Sequence, residues 1–310
     1  MNFNMKKILI IGSSNVDLVA TMDDFPKIGE TVEGNSFGFS MGGKGANQAV
    51  AAKRAGGIVT FITSVGDDDY GHNALEFYKK EGVDISYSIV NENVTTGTAS
   101  IWVDKNGDNS IVIIPGANDL LSPEIINKNM SIIEESDIIV LQMEIPYQTV
   151  KAICKIAYQK GKIVILNAAP AYPLDEDILK AVVYLIVNEN EAETILHENK
   201  EEIGVEGLVD KLIEKCVKNV ILTLGRDGCI YKDSKDHFHI PAFSVETKDS
   251  TGAGDTFCGA LATRISKGEC MKDALIFASA AAALCVTKMG ALPSVPTEAE
   301  INLFLSNNIN

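Results

Sequence analysis

The stretch YQTVKAICKIAYQKGKIVILN, residues 147–167, indicates the fold class of this chain. Its first part, 147–161, carries apolar residues at helical spacing and ends at a glycine, and its last part, 162–167, is a short β-branched run. An amphipathic helix that leads directly into a buried strand is one half of a βαβ unit. Such units join parallel strands through helices, so a recurring pattern would make this chain an α/β protein.

The pattern recurs along most of the chain. Further β-branched runs predict buried strands at 6–12, 58–66, 137–144, 182–188 and 219–225. Further amphipathic stretches predict helices at 45–57, 69–82 and 206–219. This alternation predicts a mostly parallel central sheet flanked by helices. We assign to this α/β domain the segments 1–14, 41–95 and 117–310.

Two segments break the alternation. Residues 15–40 contain short alternating runs separated by turn residues, and residues 96–116 alternate on both sides of KNGD, a strong hairpin signal. Because neither segment contains a helix that could cover it, we expect the two to pair into a small separate β-sheet. That sheet would form a lid on the main domain.

Composition excludes several classes of protein. The net charge of −15 argues against a nucleic-acid or anionic-membrane surface, and the longest apolar stretch, 274–286, is too short to span a bilayer. The N-terminus has no signal-peptide layout, so we expect a cytoplasmic protein. Six scattered cysteines predict reduced, buried thiols, and four dispersed histidines argue against a metal cluster.

A glycine-rich stretch, GFSMGGKGANQA, occupies residues 38–49. It almost satisfies the P-loop pattern, but Gly45 stands where a Ser or Thr should bind Mg²⁺, and no core strand precedes it, so a P-loop NTPase is rejected. The glycines around Lys44 indicate backbone brought close to a ligand, and Asn47 could offer both a donor and an acceptor. A glycine-rich helix entry without a ligand is an equally good interpretation of this stretch alone.

Polar residues follow two of the predicted strands. Asn15 and Asp17 come at the end of the first strand, two residues apart, and Glu144 ends the strand at 137–144. Ligands of open α/β sheets bind outside the carboxyl ends of the strands, and a carboxylate beside an amide suits vicinal hydroxyls. An Asx turn at a strand end is the common alternative.

Two other strand ends carry candidate ligand-binding groups. Asn188 closes a strand, and the acids that follow it, among them Glu191, either complement a helix dipole or hold hydrated Mg²⁺. The stretch LTLGRDG, 222–228, ends another strand with Gly225 and Gly228, which could also form a plain hairpin turn.

The stretch KDSTGAGDTF, 248–257, is the strongest signal. If a helix begins near Gly252, the N–H groups of Ala253, Gly254 and Asp255 point out of its end and suit a transferring phosphate. Glycines let the phosphate approach, and Asp255 could take a proton from an attacking hydroxyl. The alternative is an acid that only complements the helix dipole.

Together, GGKGANQAVAA (42–52), NENEAE (188–193), TLGRDG (223–228) and DSTGAGDTFCGAL (249–261) resemble the motifs of the ribokinase family of sugar kinases, in the family's order. The resemblance covers essentially the whole chain. It implies ATP-dependent transfer to the C5 hydroxyl of D-ribose, with Asp255 as the base and an anion hole at Gly252, Ala253 and Gly254. It also implies a homodimer joined through residues 15–41 and 96–116.

The resemblance further implies a set of binding residues. For the sugar these are Asn15, Asp17, Gly43, Lys44, Gly45, Asn47, Glu144 and Asp255. For ATP they are Asn188, Thr223, Leu224, Gly225, Arg226, Asp227, Gly228, Gly254 and Ser279, with Glu191 acting on Mg²⁺ through water. For an activating K⁺ they are Asp249, Thr251, Cys285, Lys288, Gly290 and Ser294, where Cys285 and Lys288 would offer only backbone carbonyls.

Two alternatives remain open. A related kinase for deoxyribose, a hexose or a nucleoside shares most of these motifs, although the full GGKGANQA run favours ribose. A sugar-binding regulator without catalysis belongs to another class, and an intact Asp255 with its neighbouring glycines argues against it.

Overall fold

The computed structural model describes residues 5–308, so the two ends of the predicted α/β domain, 1–4 and 309–310, lie outside the described part. The strands are β1 (Lys7–Ile11), β2 (Asn15–Met22), β3 (Gly34–Gly42), β4 (Ile58–Ile62), β5 (Ser64–Gly66), β6 (Ile89–Asn91), β7 (Gly97–Val103), β8 (Asn109–Ile114), β9 (Ile138–Leu141), β10 (Ile163–Asn167), β11 (Tyr184–Asn188), β12 (Asn219–Thr223), β13 (Cys229–Lys232) and β14 (His237–Ile240).

The helices are α1 (Lys44–Arg54), α2 (Asp69–Lys80), α3 (Pro123–Lys128), α4 (Met130–Glu135), α5 (Tyr147–Gln159), α6 (Glu176–Ala181), α7 (Glu189–Leu196), α8 (Lys200–Glu214), α9 (Ala253–Ser266), α10 (Met271–Cys285), α11 (Ala291–Ser294) and α12 (Glu298–Asn308). Short 3₁₀ turns occupy 116–120 and 225–227. Across the described residues, no helix is long and apolar enough to cross a membrane.

The large sheet has eight strands in the order β14-β13-β12-β11-β10-β9-β1-β4. The strands from β12 to β4 are parallel, and β13 and β14 extend the sheet in antiparallel fashion. The predicted mostly parallel sheet is therefore confirmed. The predicted strand at 58–66 is divided, because β4 joins the large sheet whereas β5 pairs with β6 in a two-stranded sheet.

The large sheet is covered on both faces. Within β1, Ile8 and Ile10 pack into one apolar core, and Leu9 and Ile11 pack into the other. None of these four side chains is more than 1% exposed. Burial on both faces explains why the strand sequences are continuously apolar and do not alternate between apolar and polar residues.

The small sheet has four strands in the order β3-β2-β7-β8 and is separate from the large one, as predicted. Its strand β3 continues to Gly42, two residues past the boundary proposed at residue 40. The division of the chain into a main domain and a lid remains a prediction.

Helices α1 and α9 pack unusually closely. A Cβ atom added at Gly259 of α9 would lie 2.5 Å from the carbonyl oxygen of Gln48 and 2.7 Å from Cβ of Ala51. Farther along the same contact, Thr263 Oγ1 donates a 2.9 Å hydrogen bond to the carbonyl of Ala52. Only a glycine at position 259 permits the backbones of α1 and α9 to approach this closely.

The prediction that the cysteines are buried is wrong at two positions. All six are free thiols, but Cys216 and Cys270 are exposed. Both stand at helix ends on the surface, Cys216 in a left-handed conformation after α8 and Cys270 at the N-cap of α10.

Candidate active site

The carboxylate of Asp255 lies in the first turn of α9, buried against the side chains of α1. Its Oδ2 accepts a hydrogen bond from Nδ2 of Asn47, and its Oδ1 accepts one from Nε2 of Gln48, each at 2.9 Å. Asn47 Oδ1 is buried and has no hydrogen-bond partner among the described residues. The donor that the sequence assigned to Asn47 is therefore engaged by Asp255, and its acceptor is left for another molecule.

At the start of α9, one of the N–H groups predicted for the anion hole is used within the protein. Gly252 caps the helix with φ of 77°, and the Ala253 N–H donates to the carbonyl of Ser250 at 3.2 Å. Within residues 5–308, the N–H groups of Gly254 and Asp255 have no acceptor, and a Cβ at Gly254 would meet nothing within 4 Å. Open space and two unused donors at a helix N-terminus suit a phosphate group.

Asn15 and Asp17 lie on β2 of the small sheet and not at the end of β1, which stops at Ile11. Asn15 Oδ1 accepts a 2.7 Å hydrogen bond from Nδ2 of Asn118. Burial, together with the negative charges of Glu144 and Asp255, raises the pKa of Asp17 to about 6.

Glu144 lies three residues after the end of β9, and its carboxylate is hydrogen-bonded to the segment after β1 and to the start of α1. Its Oε2 accepts hydrogen bonds from Ser13 Oγ at 2.6 Å and from the Lys44 N–H at 2.9 Å. Since Glu144 also acts electrostatically on Asp17, the structure brings these predicted sugar residues to one place.

The glycines beside Lys44 have a structural reason as well as a predicted functional one. A Cβ at Gly45 would lie 2.6 Å from the backbone of residues 12 and 13, and one at Gly42 would lie 2.3 Å from Oδ2 of Asp17. Gly43 has φ of 90°, a conformation that side chains rarely adopt. Part of the close approach that the sequence indicated is therefore made by the protein's own chain.

Lys44 lies among three carboxylates. The charge of Asp255 raises the pKa of the Lys44 ammonium most strongly, burial opposes this, and Glu144 and Glu191 add to it. A cation in this position can screen negative charges that approach Asp255.

A cavity of about 710 Å³ adjoins the start of α9. Six of the predicted ATP residues line it: Thr223, Gly225, Arg226, Gly228, Gly254 and Ser279. Leu224 and Asp227 belong to the same turn without lining it, and Asn188 also lies outside its lining. The sequence missed the remaining wall, which includes Phe243, Val245, Thr247, Ala282 and Val286. A largely apolar wall with a few polar groups is typical of a site for a small molecule.

Asn188 and Glu191 form a capping box at the start of α7. Asn188 Oδ1 accepts from the Glu191 N–H, and Glu191 Oε2 accepts from the Asn188 N–H, both at 2.8 Å. Burial raises the pKa of Glu191, and the charge of Asp255 adds to the effect. No cluster of three metal-ligating side chains occurs among the described residues.

All six residues predicted for K⁺ are connected by contacts, and Lys288 joins the others through its N–H, which donates to the Cys285 carbonyl at 3.2 Å. Asp249 accepts from Thr251 Oγ1 at 2.6 Å and from the Gly290 N–H at 2.8 Å. Cys285 Sγ lies 2.9 Å from Ser294 Oγ and 3.8 Å from the Thr251 carbonyl oxygen. The side chain of Lys288 lies against Glu300, with Nζ 3.3 Å from Oε1, and the role of its carbonyl remains a prediction.

Several polar residues in contact with the site were not predicted. They are Ser13, Gln48, Asn118, Gln142 and Asn167, all buried. A chemical signal existed for Gln48, because it follows Asn47 within the glycine-rich motif. For the others, nothing in the local pattern distinguishes them from polar residues at ordinary strand ends.

Comparisons with known proteins agree with this geometry. Residues 5–298 match the pfkB family of carbohydrate kinases. The chain is 40% identical to a ribokinase of Bacillus subtilis, over 97% of this chain and 100% of the relative. A ribokinase structure from Thermotoga maritima superposes with a TM-score of 0.89 at 40% identity, covering 97% of this chain and 100% of that one. An Arabidopsis thaliana ribokinase complexed with ribose and ATP superposes with a TM-score of 0.91 at 30% identity, covering 97% and 99%.

Proposed function

Because the chain belongs to the pfkB family of carbohydrate kinases, we propose that it transfers the γ-phosphoryl group of ATP to the C5 hydroxyl of D-ribose. The products are D-ribose 5-phosphate and ADP. The observation that carries the proposal is the position of Asp255. Its carboxylate accepts hydrogen bonds from Asn47 and Gln48 of α1, and its backbone N–H, which has no acceptor within residues 5–308, lies beside the cavity proposed for ATP.

Asp255 is the proposed general base. It takes the proton of the C5 hydroxyl while that oxygen forms a bond to the γ-phosphorus, and the bond from phosphorus to the β–γ bridging oxygen breaks to release ADP. The N–H groups of Gly254 and Asp255 stabilise the phosphoryl oxygens, and the Lys44 ammonium offsets the charge that gathers between the substrates.

The sugar is held by groups that converge from three segments. Asp17 accepts hydrogen bonds from the 2- and 3-hydroxyls of the sugar, and Asn15 and Glu144 contact its remaining polar atoms. Asn47 Oδ1 accepts a hydrogen bond from a further sugar hydroxyl. Gly43 and Gly45 leave the backbone accessible at the helix entry.

The nucleotide lies in the 710 Å³ cavity, with its phosphates toward Gly254 and its base toward Ser279. Asn188, Leu224 and Asp227 contact it from the edge. Glu191 would hold Mg²⁺ through water, and the ion would supply positive charge against the phosphates of ATP. Asp249 and its neighbours would hold a monovalent cation, which would fix the loop that delivers α9.

The small sheet supports a proposal of a homodimer. Phe37, Phe39, Trp102 and Val112 stand on one of its faces, because strand pairing aligns Phe37 with Ala20 and Trp102, and Phe39 with Leu18, Ser100 and Val112. These four apolar side chains are exposed, on the face opposite Asp17. A contiguous apolar patch of this kind is typical of an interface. Sedimentation velocity of the whole chain would test the association.

A sugar panel tests the function itself. With ATP and Mg²⁺, ADP release should require a sugar, and kcat/KM should be higher for D-ribose than for 2-deoxyribose, hexoses or nucleosides. A nucleoside or hexose as the best acceptor would replace the proposed substrate. Sugar binding without ADP release from any acceptor would favour a non-catalytic regulator.

A further inference from the structure

Gln48 lies in the first turns of α1 and is fully buried, and its amide contacts three polar side chains from distant segments. Its Nε2 donates to Asp255 Oδ1 at 2.9 Å and to Asn167 Oδ1 at 3.1 Å. Its Oε1 accepts from Nε2 of Gln142 at 2.7 Å. The amide group of Gln48 is therefore fully used within the protein.

The chemistry of the carboxylate fixes the direction of this chain of hydrogen bonds. An ionised aspartate can only accept, so Gln48 must turn its NH₂ group toward Asp255. The oxygen of Gln48 then faces Gln142, which must in turn present its own NH₂ group. Each amide has one orientation that satisfies its neighbours, and the reverse orientation would set oxygen against oxygen.

Asn47 and Gln48 are adjacent residues of α1, and both donate to Asp255 but differ in their remaining contacts. Each donates to a different oxygen of Asp255, so one helix sets both the position and the plane of the carboxylate. In the part of the chain that the structure describes, Asn47 Oδ1 has no partner, whereas the Gln48 amide is engaged by Asp255, Asn167 and Gln142. The contribution of Gln48 to the reaction must therefore pass through Asp255.

We infer that Gln48 is a positioning residue for the reaction, which holds Asp255 Oδ1 so that the other oxygen faces the attacking hydroxyl, and that Gln142 orients Gln48. The inference rests on the proposed role of Asp255 as the base. A carboxylate that can rotate loses the near-attack geometry, and a displacement of about 1 Å is enough to cost on the order of 10²-fold in rate.

Gln48→Met tests the inference, because methionine has a similar volume and cannot donate. We expect kcat to fall about 10- to 100-fold, while KM for sugar and ATP stays within about threefold. Thr263→Val is the matched control, since it removes a buried hydrogen bond between the same two helices, 2.9 Å from Thr263 Oγ1 to Ala52, away from the site. It should lower the melting temperature and leave kcat unchanged.

A double-mutant cycle separates positioning from general damage. In an Asp255→Asn background the base is absent, so adding Gln48→Met should lower kcat no further, as expected for residues that act as a unit. Independent losses that multiply in the double variant would overturn the inference. Near-normal kcat in Asp255→Asn alone would instead overturn the proposed base, so the two failures are distinguishable.

Gln142→Leu tests the outer link of the chain, and it keeps the inference testable should Gln48→Met fail to fold. Without its donor, the Gln48 amide loses the constraint on its oxygen but keeps its contact with Asp255. We expect kcat to fall about three- to tenfold. In the double variant, kcat should be no lower than in Gln48→Met alone. An unchanged kcat in a folded Gln142→Leu variant would remove Gln142 from the inferred chain.

Discussion

Asp249 and Gly290 lie 41 residues apart in sequence, and the backbone N–H of Gly290 donates a 2.8 Å hydrogen bond to Oδ2 of Asp249. The other oxygen of the carboxylate accepts from the N–H and the hydroxyl of Thr251. Burial opposes ionisation of Asp249, but these hydrogen bonds outweigh it and lower its pKa. An anionic carboxylate thus ties the loop before α9 to the loop after α10.

Activity should rise with K⁺ at fixed Mg²⁺, and more weakly with Na⁺. Oxygen ligands from the two loops suit a hard cation, which would fix the direction of the Gly254 and Asp255 amides. Initial rates in a K⁺ titration provide the measurement, and Asp249→Ala should flatten the curve. Asp273→Ala, which removes an exposed acid from α10, should leave the response intact. Equal rates without K⁺ and at saturating K⁺ would refute the cation site alone.

Asp255→Asn should keep ATP binding and lose turnover. Asparagine preserves shape but cannot accept the proton, so the transition state loses more stabilisation than the ground state, by about 10²- to 10⁴-fold in kcat. Steady-state kinetics with ATP-binding calorimetry would measure both. The control is Asp69→Asn, the same change at an exposed position in the first turn of α2, which should behave as wild type.

Ribose binding should weaken as the pH falls through about 6, the raised pKa of Asp17. Above that pH the carboxylate is ionised and accepts hydrogen bonds from two hydroxyl groups, and below it the protonated form loses acceptor capacity. If only the ionised form binds, the apparent Kd rises about tenfold from pH 7 to pH 5. Calorimetry over this range would measure it. The Asp17→Asn variant should bind ribose weakly, and its Kd should depend less on pH than that of the wild type. If the Kd of the variant changed with pH as steeply as in the wild type, the titration would belong to another group.

2-Deoxyribose should have a kcat/KM about 5- to 150-fold below that of ribose. Without the 2-hydroxyl, one acceptor of Asp17 stays unpaired in a site closed to water, at a cost of about 1–3 kcal/mol. Competition between the two sugars in one assay gives the ratio directly. Asp17→Ala should bring the ratio toward one, and equal use of both sugars by the wild type would contradict the assignment.

Hydrogen exchange in residues 15–40 and 96–116 should slow when ribose binds. The small sheet carries Asn15 and Asp17, so a sugar that joins them to Glu144 and Asp255 restrains the sheet against the main domain. Mass spectrometry with and without ribose would locate the protection. Peptides from α5, which does not contact the site, serve as the internal control. Equal exchange in both states would argue for a sheet that is already closed.

Much of the architecture was predictable because it depends on local patterns. Continuous apolar runs such as 138–141 identify strands buried on both faces, and the KNGD turn identifies the hairpin of β7 and β8. The position of Asp255 was predictable for the same reason, since the glycines that precede it mark a helix start.

The polar network behind the site was not predictable. The contact between Gln48 and Asp255 joins positions 207 residues apart, and that between Gln142 and Gln48 joins positions 94 apart. Nothing in the sequence around Gln142 indicates its partner, because the pairing follows from how α1 and α9 lie across the sheet. Asn118 likewise reaches Asn15 only through the meeting of the small sheet with the 3₁₀ turn at 116–120.

The close contact of α9 with α1 at Gly259 determines how precisely the active-site residues are positioned. Since Gly259 places no side chain between the two helices, the distance between Asp255 and Asn47 is set by how α1 and α9 pack in the apolar core. That packing is set when the chain folds, before either substrate arrives. Even the addition of a single methyl group at Gly259, one helical turn after Asp255, would push the two helices apart and shift the catalytic carboxylate.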